Sequence, residues 1–248
     1  YLKKNYKIII TIIFFTSLLS VYIFEGLLAL GTFDVTRQEL RAKAAKDIGI
    51  DFDERTRLEV YYDLKNQNED VTVVMHPSQF IDHSYEIFPI GGISNKKTIH
   101  CNENGYYSIY KSDRHGFNNP DQEWDKNQIK FLVIGDSLIH GSCVNEEKTI
   151  TGNLRRKLGN KGVINLAYKG IGPIIENVAL REYGNHINYS NVLWVYSGND
   201  IQDVESELTN EILKKYFADV NFSQNLIERQ EAVDKQLQEF FNNEQLFN

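Results

Sequence analysis

The chain has 248 residues, of which 42% are hydrophobic and 25% are charged. These proportions are close to those of ordinary globular proteins and exclude a wholly disordered chain. The formal net charge of −7 argues against a protein that binds nucleic acid through the phosphate backbone, because such a protein needs a basic face.

The two ends of the chain do not read as native termini. Met75 is the only methionine, and the chain begins at Tyr1. Because translation starts at methionine, we expect a processed product or a fragment, which could also stop short of the native C-terminus.

The N-terminal segment is strongly apolar. Residues 8–24 carry no charge, and residues 26–30 continue the apolar run after Glu25. A helix over both pieces is long enough for a hydrocarbon core of about 30 Å. Its Thr and Ser hydroxyls can bond back to helix carbonyls. The sequence therefore predicts a transmembrane helix within residues 8–31.

Three lysines precede this run and set its predicted orientation. Under the positive-inside rule Lys3, Lys4 and Lys7 stay in the cytoplasm, so the main domain is exported. Residues 1–31 are thus predicted to be a cytoplasmic tip and a signal-anchor. A cleaved signal peptide ending near residues 29–31 and a buried core helix are the alternatives.

Export changes the interpretation of the two cysteines, Cys101 and Cys143. An oxidising compartment permits a disulfide between them. Closing a loop of about 43 residues would stabilise the fold by about 4 kcal/mol in the chain-entropy model. Two unrelated buried thiols are the alternative, and two cysteines without zinc spacing do not indicate a metal site.

The segment after the apolar run is predicted in two parts. Helices over 34–48, capped by Asp34, and over 53–66 are heavily charged. They form a stalk over residues 32–70 or pack on the main domain. Residues 71–128 read as a β-rich or irregular lead-in, with strands at 98–101 and 106–110 joined by a turn that contains Asn-Gly.

From residue 129 onwards strands alternate with helices. The apolar runs predict three strands, the first and third buried on both faces, and the helical spacing predicts four helices. The strands are 129–134, 162–166 and 191–196, and the helices are 149–158, 174–184, 208–217 and a strongly amphipathic 223–241. Such alternation implies right-handed βαβ units and a parallel sheet, which is an α/β fold.

Polar residues and glycines follow each predicted strand at its carboxyl end, where ligands bind in open parallel sheets. Ser137 follows the first strand in a turn that begins with Gly135. Gly170 follows the second strand, and Asn199 follows the third. The hydroxyl of Ser137 could act as a nucleophile, and three hydrogen-bond donors near it would form an oxyanion hole. Lys169, beside Gly170, could contact an anionic substrate or simply be solvated.

These motifs resemble those of the SGNH (GDSL) hydrolases. The sequence GDSL at 135–138 matches the first block of that family, Gly170 the second and Asn199-Asp200 the third, within a resemblance covering about residues 106–205. The lead-in SDRHGFNN at 112–119 looks like that of an exported bacterial subgroup, which implies a periplasmic location.

The resemblance implies a fold and a set of roles. The family fold is a three-layer α/β/α sandwich of flavodoxin-like type, and its members cleave or transfer acyl groups without a cofactor or metal. Ser137 would be the nucleophile. The amides of Ser137 and Gly170 and the side chain of Asn199 would form the oxyanion hole.

The chain departs from the family in its general base. The family uses a His in an Asp-x-x-His segment near the C-terminus, whereas no His follows Asn199 here. Without a base the hydroxyl of Ser137 is a poor nucleophile. Neither His140 nor His115 is expected to replace it. We therefore expect an incomplete C-terminus, or else a non-catalytic relative.

The sequence thus predicts an SGNH-like α/β domain over residues 71–248. It predicts a membrane-anchored, extracytoplasmic serine esterase or O-acyltransferase that acts on acylated, in particular acetylated, glycans. The alternative is a catalytically inactive accessory or scaffold subunit of a membrane protein assembly. In that case the charged helices and the amphipathic helix at 223–241 offer surfaces to partners.

Overall fold

The computed structural model describes residues 4–29, 37–159, 161–198 and 200–243. The chain divides into two compact units, Tyr1–Ile50 and Asp51–Asn248. The first unit contains helix α1 (Lys4–Ala29) and helix α2 (Arg37–Asp47).

Helix α1 contains the apolar run. Its stretch Asn5–Leu27 has 23 residues and is long and apolar enough to cross a membrane. The hydroxyl of Thr11 donates to the carbonyl of Lys7 at 2.9 Å, and that of Ser20 donates to the carbonyl of Thr16 at 2.8 Å. The polar side chains are therefore satisfied within the helix, as the sequence predicts. Residues 30 and 31 of the predicted segment lie outside the described residues.

Helix α2 is described from Arg37 to Asp47, one residue short of the predicted end at Ile48. The predicted cap, Asp34, lies outside the described residues. Leu40 and Ile48, which the spacing places on one apolar face, are exposed.

The second unit is a mixed α/β structure. Its helices are α3 (Arg57–Asn66), α4 (Ser137–His140), α5 (Ile150–Leu158), α6 (Pro173–Ala179), α7 (Asp200–Glu207), α8 (Glu211–Ala218) and α9 (Gln230–Asn243). Its strands are β1 (Val71–Val73), β2 (Lys97–Asn102), β3 (Tyr107–Lys111), β4 (Ile129–Ile134), β5 (Gly162–Asn165) and β6 (Tyr189–Trp194). A π-helical turn, Leu180–Gly184, directly follows α6.

The lead-in forms a three-stranded sheet in the order β1-β2-β3. Strand β1 is parallel to β2, and β2 is antiparallel to β3. The two predicted strands of this region are confirmed. Gly105 has a φ of +88° in the turn between them, a conformation that glycine adopts without strain.

Helix α3 begins four residues later than the predicted helix at 53–66. The Thr56 side chain accepts from the amide of Glu59, and the Glu59 carboxylate accepts from the amide of Thr56. This capping box fixes the start of the helix. Asp53 instead belongs to the preceding loop, where its amide donates to the carbonyl of Gly105 at 2.8 Å.

A second sheet has the order β5-β4-β6 and is parallel throughout. The first two predicted strands are confirmed within one residue. The prediction of a third strand buried on both faces is wrong. Within the described residues β6 pairs only with β4, its side chains are exposed or half-buried, and Tyr196 beyond it is 62% exposed.

The C-terminal helices differ from the predicted ones. The predicted helix at 208–217 begins only at Glu211, where Asn210 caps α8, and α7 was not predicted. Residues 223–225 are irregular and residues 226–229 form turns, so α9 begins at Gln230. The apolar side chains of α9 are buried, and the ring of Phe240 lies 4.5 Å from that of Phe80. The apolar face of α9 is therefore packed within its own unit, and the prediction that this helix offers a surface to a partner stays a prediction.

A disulfide joins Cys101 in β2 to Cys143, three residues after the end of α4. The Cα atoms of the two residues lie 4.8 Å apart. The predicted pairing is thus confirmed. It ties the lead-in sheet to the segment that follows β4.

Candidate functional site

The candidate site lies where the direction of the parallel sheet reverses. From β4 the chain continues to β5 on one side of it and then to β6 on the other. In parallel sheets the crevice at such a switch point, beyond the carboxyl ends of the strands, is the usual ligand site. The segment 135–137 leaves β4 at this point.

The turn after β4 exposes a serine. Gly135 has a φ of +155°, and a Cβ there would lie 2.9 Å from Cγ1 of Ile139 and 3.0 Å from the carbonyl oxygen of Val195, so only glycine fits. Asp136 accepts from the amide of Leu138 at 3.0 Å and thereby holds the first turn of α4. Ser137 is half-buried.

Two polar groups of Ser137 have no partner among the residues that the structure describes. Among the described residues, neither its amide nor its hydroxyl donates a hydrogen bond. The side chain of Asp136 is turned towards the end of β6, where it accepts from the hydroxyl of Ser197 at 2.9 Å. Ser137 therefore presents a hydroxyl and an amide to whatever enters the crevice.

Gly170 lies across the same crevice. Ser137 and Gly170 both line a cavity of about 270 Å³. Gly170 has a φ of +75°, and its carbonyl accepts from the amide of Ser78 at 3.1 Å. Its own amide donates to no other residue in the described part of the chain. The structure thus brings together two of the three predicted site residues, and the third, Asn199, lies outside the described residues.

The lead-in contributes a wall of this cavity that the sequence does not predict. A Cβ on Gly170 would lie 2.9 Å from Cβ of His76 and 2.9 Å from Oγ of Ser78. His76 and Ser78 both line the cavity. They follow β1, about 60 residues before Ser137 in the chain, and no local pattern in the sequence connects them to the three motifs.

The cavity is lined by both basic and acidic side chains. His76 and Lys169 are basic, and Asp136, Asp203 and Glu207 are acidic. Burial, together with the charges of Lys169 and Arg57, lowers the pKa of His76 to about 4, so the imidazole is neutral at neutral pH.

Glu207 has a structural task in this cavity. Its carboxylate accepts from the amides of Gly172 at 2.7 Å and Ile174 at 2.9 Å, at the start of α6. Burial raises its pKa to about 7, and the amide hydrogen bonds oppose that shift.

Comparison of this chain with family models, with curated proteins and with solved structures finds no match. What the site can do therefore follows from its own geometry and chemistry. Within residues 4–29, 37–159, 161–198 and 200–243, no three His, Cys, Asp or Glu side chains come together to hold a metal ion.

The two histidines nearest the motifs in sequence are used in packing. His140 is fully buried, its Nδ1 accepts from the amide of Lys169 at 3.1 Å, and its Nε2 lies 3.1 Å from the hydroxyl of Tyr110. Nδ1 of His115 lies 3.3 Å from Oε1 of Gln230. Both ring nitrogens of His140 are thus engaged away from Ser137, and the ring of His115 packs against those of Trp124 and Tyr183.

The motif at 112–119 forms hydrogen bonds to the elements that carry the site. The buried carboxylate of Asp113 accepts from Nδ2 of Asn119 and Nε1 of Trp124, both at 2.7 Å. Asn119 in turn accepts from the amide of Asn165 at 2.8 Å, at the end of β5. Nδ2 of Asn118 donates to the carbonyl of His140 at 3.0 Å. This motif therefore holds α4 and the end of β5 in place.

Proposed function

We propose that this protein is a membrane-anchored, extracytoplasmic serine esterase or O-acyltransferase of the SGNH type that acts on acylated glycans, acetyl esters above all. One observation carries the proposal. Ser137 and Gly170, which follow neighbouring strands of a parallel sheet, line one cavity and direct no hydrogen bond from their amides to the described protein.

The chemistry follows from these groups. Oγ of Ser137 attacks the carbonyl carbon of the ester, and the carbonyl oxygen becomes an oxyanion that accepts from the amides of Ser137 and Gly170. The family resemblance adds the side chain of Asn199 as a third donor. Each such donor lowers the barrier by about 3 to 4 kcal/mol.

Collapse of the tetrahedral intermediate completes the transfer. The bond from the carbonyl carbon to the alkoxy oxygen breaks, the released alcohol takes up the proton that Ser137 lost, and the acyl group remains on Ser137. Water then gives hydrolysis, whereas a sugar hydroxyl gives acyl transfer. Ser137 needs a general base for the first step at neutral pH, so the reactivity of its hydroxyl is the decisive property.

We also propose the finer fold that the resemblance implies, a three-layer α/β/α sandwich. With the strands counted from β4, the order β5-β4-β6 is 2-1-3. This is the beginning of the flavodoxin-like order.

The proposed location is supported by two features of the chain. Helix α1 is long and apolar enough to cross a membrane, and the disulfide indicates an oxidising compartment. The lysines before the apolar run favour a cytoplasmic N-terminus and an extracytoplasmic second unit.

The experiment is covalent labelling of the native protein, in the form in which its cells produce it and held in a neutral detergent, with a fluorophosphonate that forms an adduct with activated serines. We expect one adduct, located on Ser137 by peptide mass analysis and absent in Ser137→Ala. Ser206→Ala is the matched control, because Ser206 lines the same cavity and takes no part in the chemistry; this variant should label like the unmodified protein.

If Ser137→Ala is labelled as strongly as Ser206→Ala and the unmodified protein, Ser137 is not the nucleophile. No adduct on any serine would instead favour the alternative of a catalytically inactive scaffold. The apolar face of α9 gives that alternative no support, since it is buried in its own unit.

A further inference from the structure

Two basic side chains line the Ser137 cavity, and the charge of a third reaches both of them. His76 and Lys169 line the cavity directly. Arg57, the first residue of α3, is close enough for its charge to disfavour protonation of both His76 and Lys169. All three side chains are half-buried.

These cations lack the acidic partners that half-buried cations normally have. No acidic residue forms an ion pair with Arg57 or Lys169 in the part of the chain that the structure describes. Glu103 is the acidic residue whose charge reaches Lys169, and it is exposed to solvent. Burial lowers the pKa of both Lys169 and Arg57, which shows that the site disfavours their charges.

Two of the three carboxylates that line the cavity are held by donors other than these basic groups. Asp136 is engaged with the amide of Leu138 and the hydroxyl of Ser197. Glu207 is engaged with the amides at the start of α6. The third carboxylate belongs to Asp203 on α7.

We propose that Lys169, Arg57 and His76 form a subsite for an anionic oxygen group, a carboxylate or a phosphate, which the acylated substrate carries beside its ester. Two cations and a neutral imidazole supply charge and N–H donors to such a group. The anion offsets the cost of bringing two like charges together in a half-buried position. That the anion belongs to an acylated substrate rests on the proposed function, whereas binding of an anion does not.

The test uses the full chain with Ser137→Ala, so that its result is independent of any turnover. Inorganic phosphate and, separately, acetate are titrated at constant ionic strength while the NMR signals of the Lys169 and Arg57 side-chain nitrogens are followed. We expect a saturable shift of both signals with at least one anion. The anion that binds more tightly identifies the group as a phosphate or a carboxylate.

Three further variants make the test specific. Lys169→Gln should weaken binding about tenfold, because a charge-assisted hydrogen bond is lost. Lys169→Arg, which keeps the charge, should retain it. Lys214→Gln is the control, since Lys214 pairs with Glu211 on α8 and should leave binding unchanged. A linear, unsaturable response, or equal affinities in Lys169→Gln and Lys214→Gln, would overturn the proposal.

A failed titration and a failed labelling experiment have different meanings. If Ser137 is labelled but neither anion binds, the esterase proposal stands and the substrate carries no anionic group next to its ester. If an anion binds but Ser137 is inert, the subsite stands without the chemistry.

Discussion

Gly170 illustrates how strongly one backbone position shapes this site. Its carbonyl is held by the amide of Ser78, so the lead-in and the end of β5 approach each other closely at this residue. The approach leaves no room for a side chain, because His76 and Ser78 both lie 2.9 Å from the position of a Cβ. Glycine is therefore required for sterics as well as for its φ of +75°.

We predict that Gly170→Ala destabilises the protein and disables the site. Strain at positive φ together with overpacking should lower the free energy of unfolding by about 3 kcal/mol. Chemical denaturation followed by tryptophan fluorescence measures this change, and fluorophosphonate labelling measures the effect on Ser137.

Gly159→Ala is the control for this prediction. Gly159 also has a positive φ, of +62°, but a Cβ there meets nothing within 4 Å. This variant should lose some stability through strain while Ser137 stays as reactive as before. An unchanged stability of Gly170→Ala would mean that His76 and Ser78 leave room for a Cβ at this position.

At the scale of elements, a carboxylate from α7 caps the start of α6. Glu207 accepts from the amides of Gly172 and Ile174, which have no carbonyl partner at a helix start. The link lets the segment after β6 fix the position of the segment after β5. Both segments border the cavity of Ser137.

This cap gives a prediction about pH. Because burial raises the pKa of Glu207 from 4.5 to about 7, the native state binds more protons than the unfolded state between those values, so this residue's contribution to stability falls as the pH rises. Glu207→Gln does not titrate. Its free energy of unfolding relative to the unmodified protein should therefore rise by about 3 kcal/mol between pH 5 and 8.

Denaturant unfolding at a series of pH values measures this difference. Glu211→Gln serves as the comparison, because Lys214 lowers the pKa of the exposed Glu211 and the relative stability of that variant should not rise with pH. A difference for Glu207→Gln that is flat, or that falls as the pH rises, would contradict the raised pKa.

How far the elements can be predicted from sequence depends on where their determinants lie. Strand β4 is apolar except for Lys130 and is followed by Gly135, so its position follows from local residues. The exposure of β6 does not, because its apolar residues are buried only if other elements cover them. Burial of a strand is a tertiary property, and the sequence pattern alone overstates it.

The candidate site shows the same division. Ser137 and Gly170 are recognisable because each follows a strand, and the topology then brings strand ends together. His76 and Glu207 are not recognisable, since their roles arise from contacts across many residues of chain. The motif at 112–119 is recognisable by resemblance, yet its hydrogen bonds to Asn165 and His140 are visible only in the structure.

At the scale of the whole molecule, the disulfide between Cys101 and Cys143 joins β2 of the first sheet covalently to the segment that follows β4 of the second. Its loop, with a sequence separation of 42, contains β3, β4 and Ser137. The cross-link therefore constrains the unfolded chain over the region that carries the proposed nucleophile. Such bonds are typical of oxidising compartments and rare in the cytosol.

We predict that removing this bond costs about 4 kcal/mol of unfolding free energy in the chain-entropy model. The double variant Cys101→Ser and Cys143→Ser should unfold at a lower denaturant concentration than the oxidised protein and should not respond to a reductant. The unmodified protein should respond, and its reduced form should unfold near the double variant. Equal stability with and without reductant, or a mass showing two free thiols in the native protein, would contradict the cross-link. It would also remove one of the two structural supports for an extracytoplasmic location, leaving the apolar helix α1 as the other.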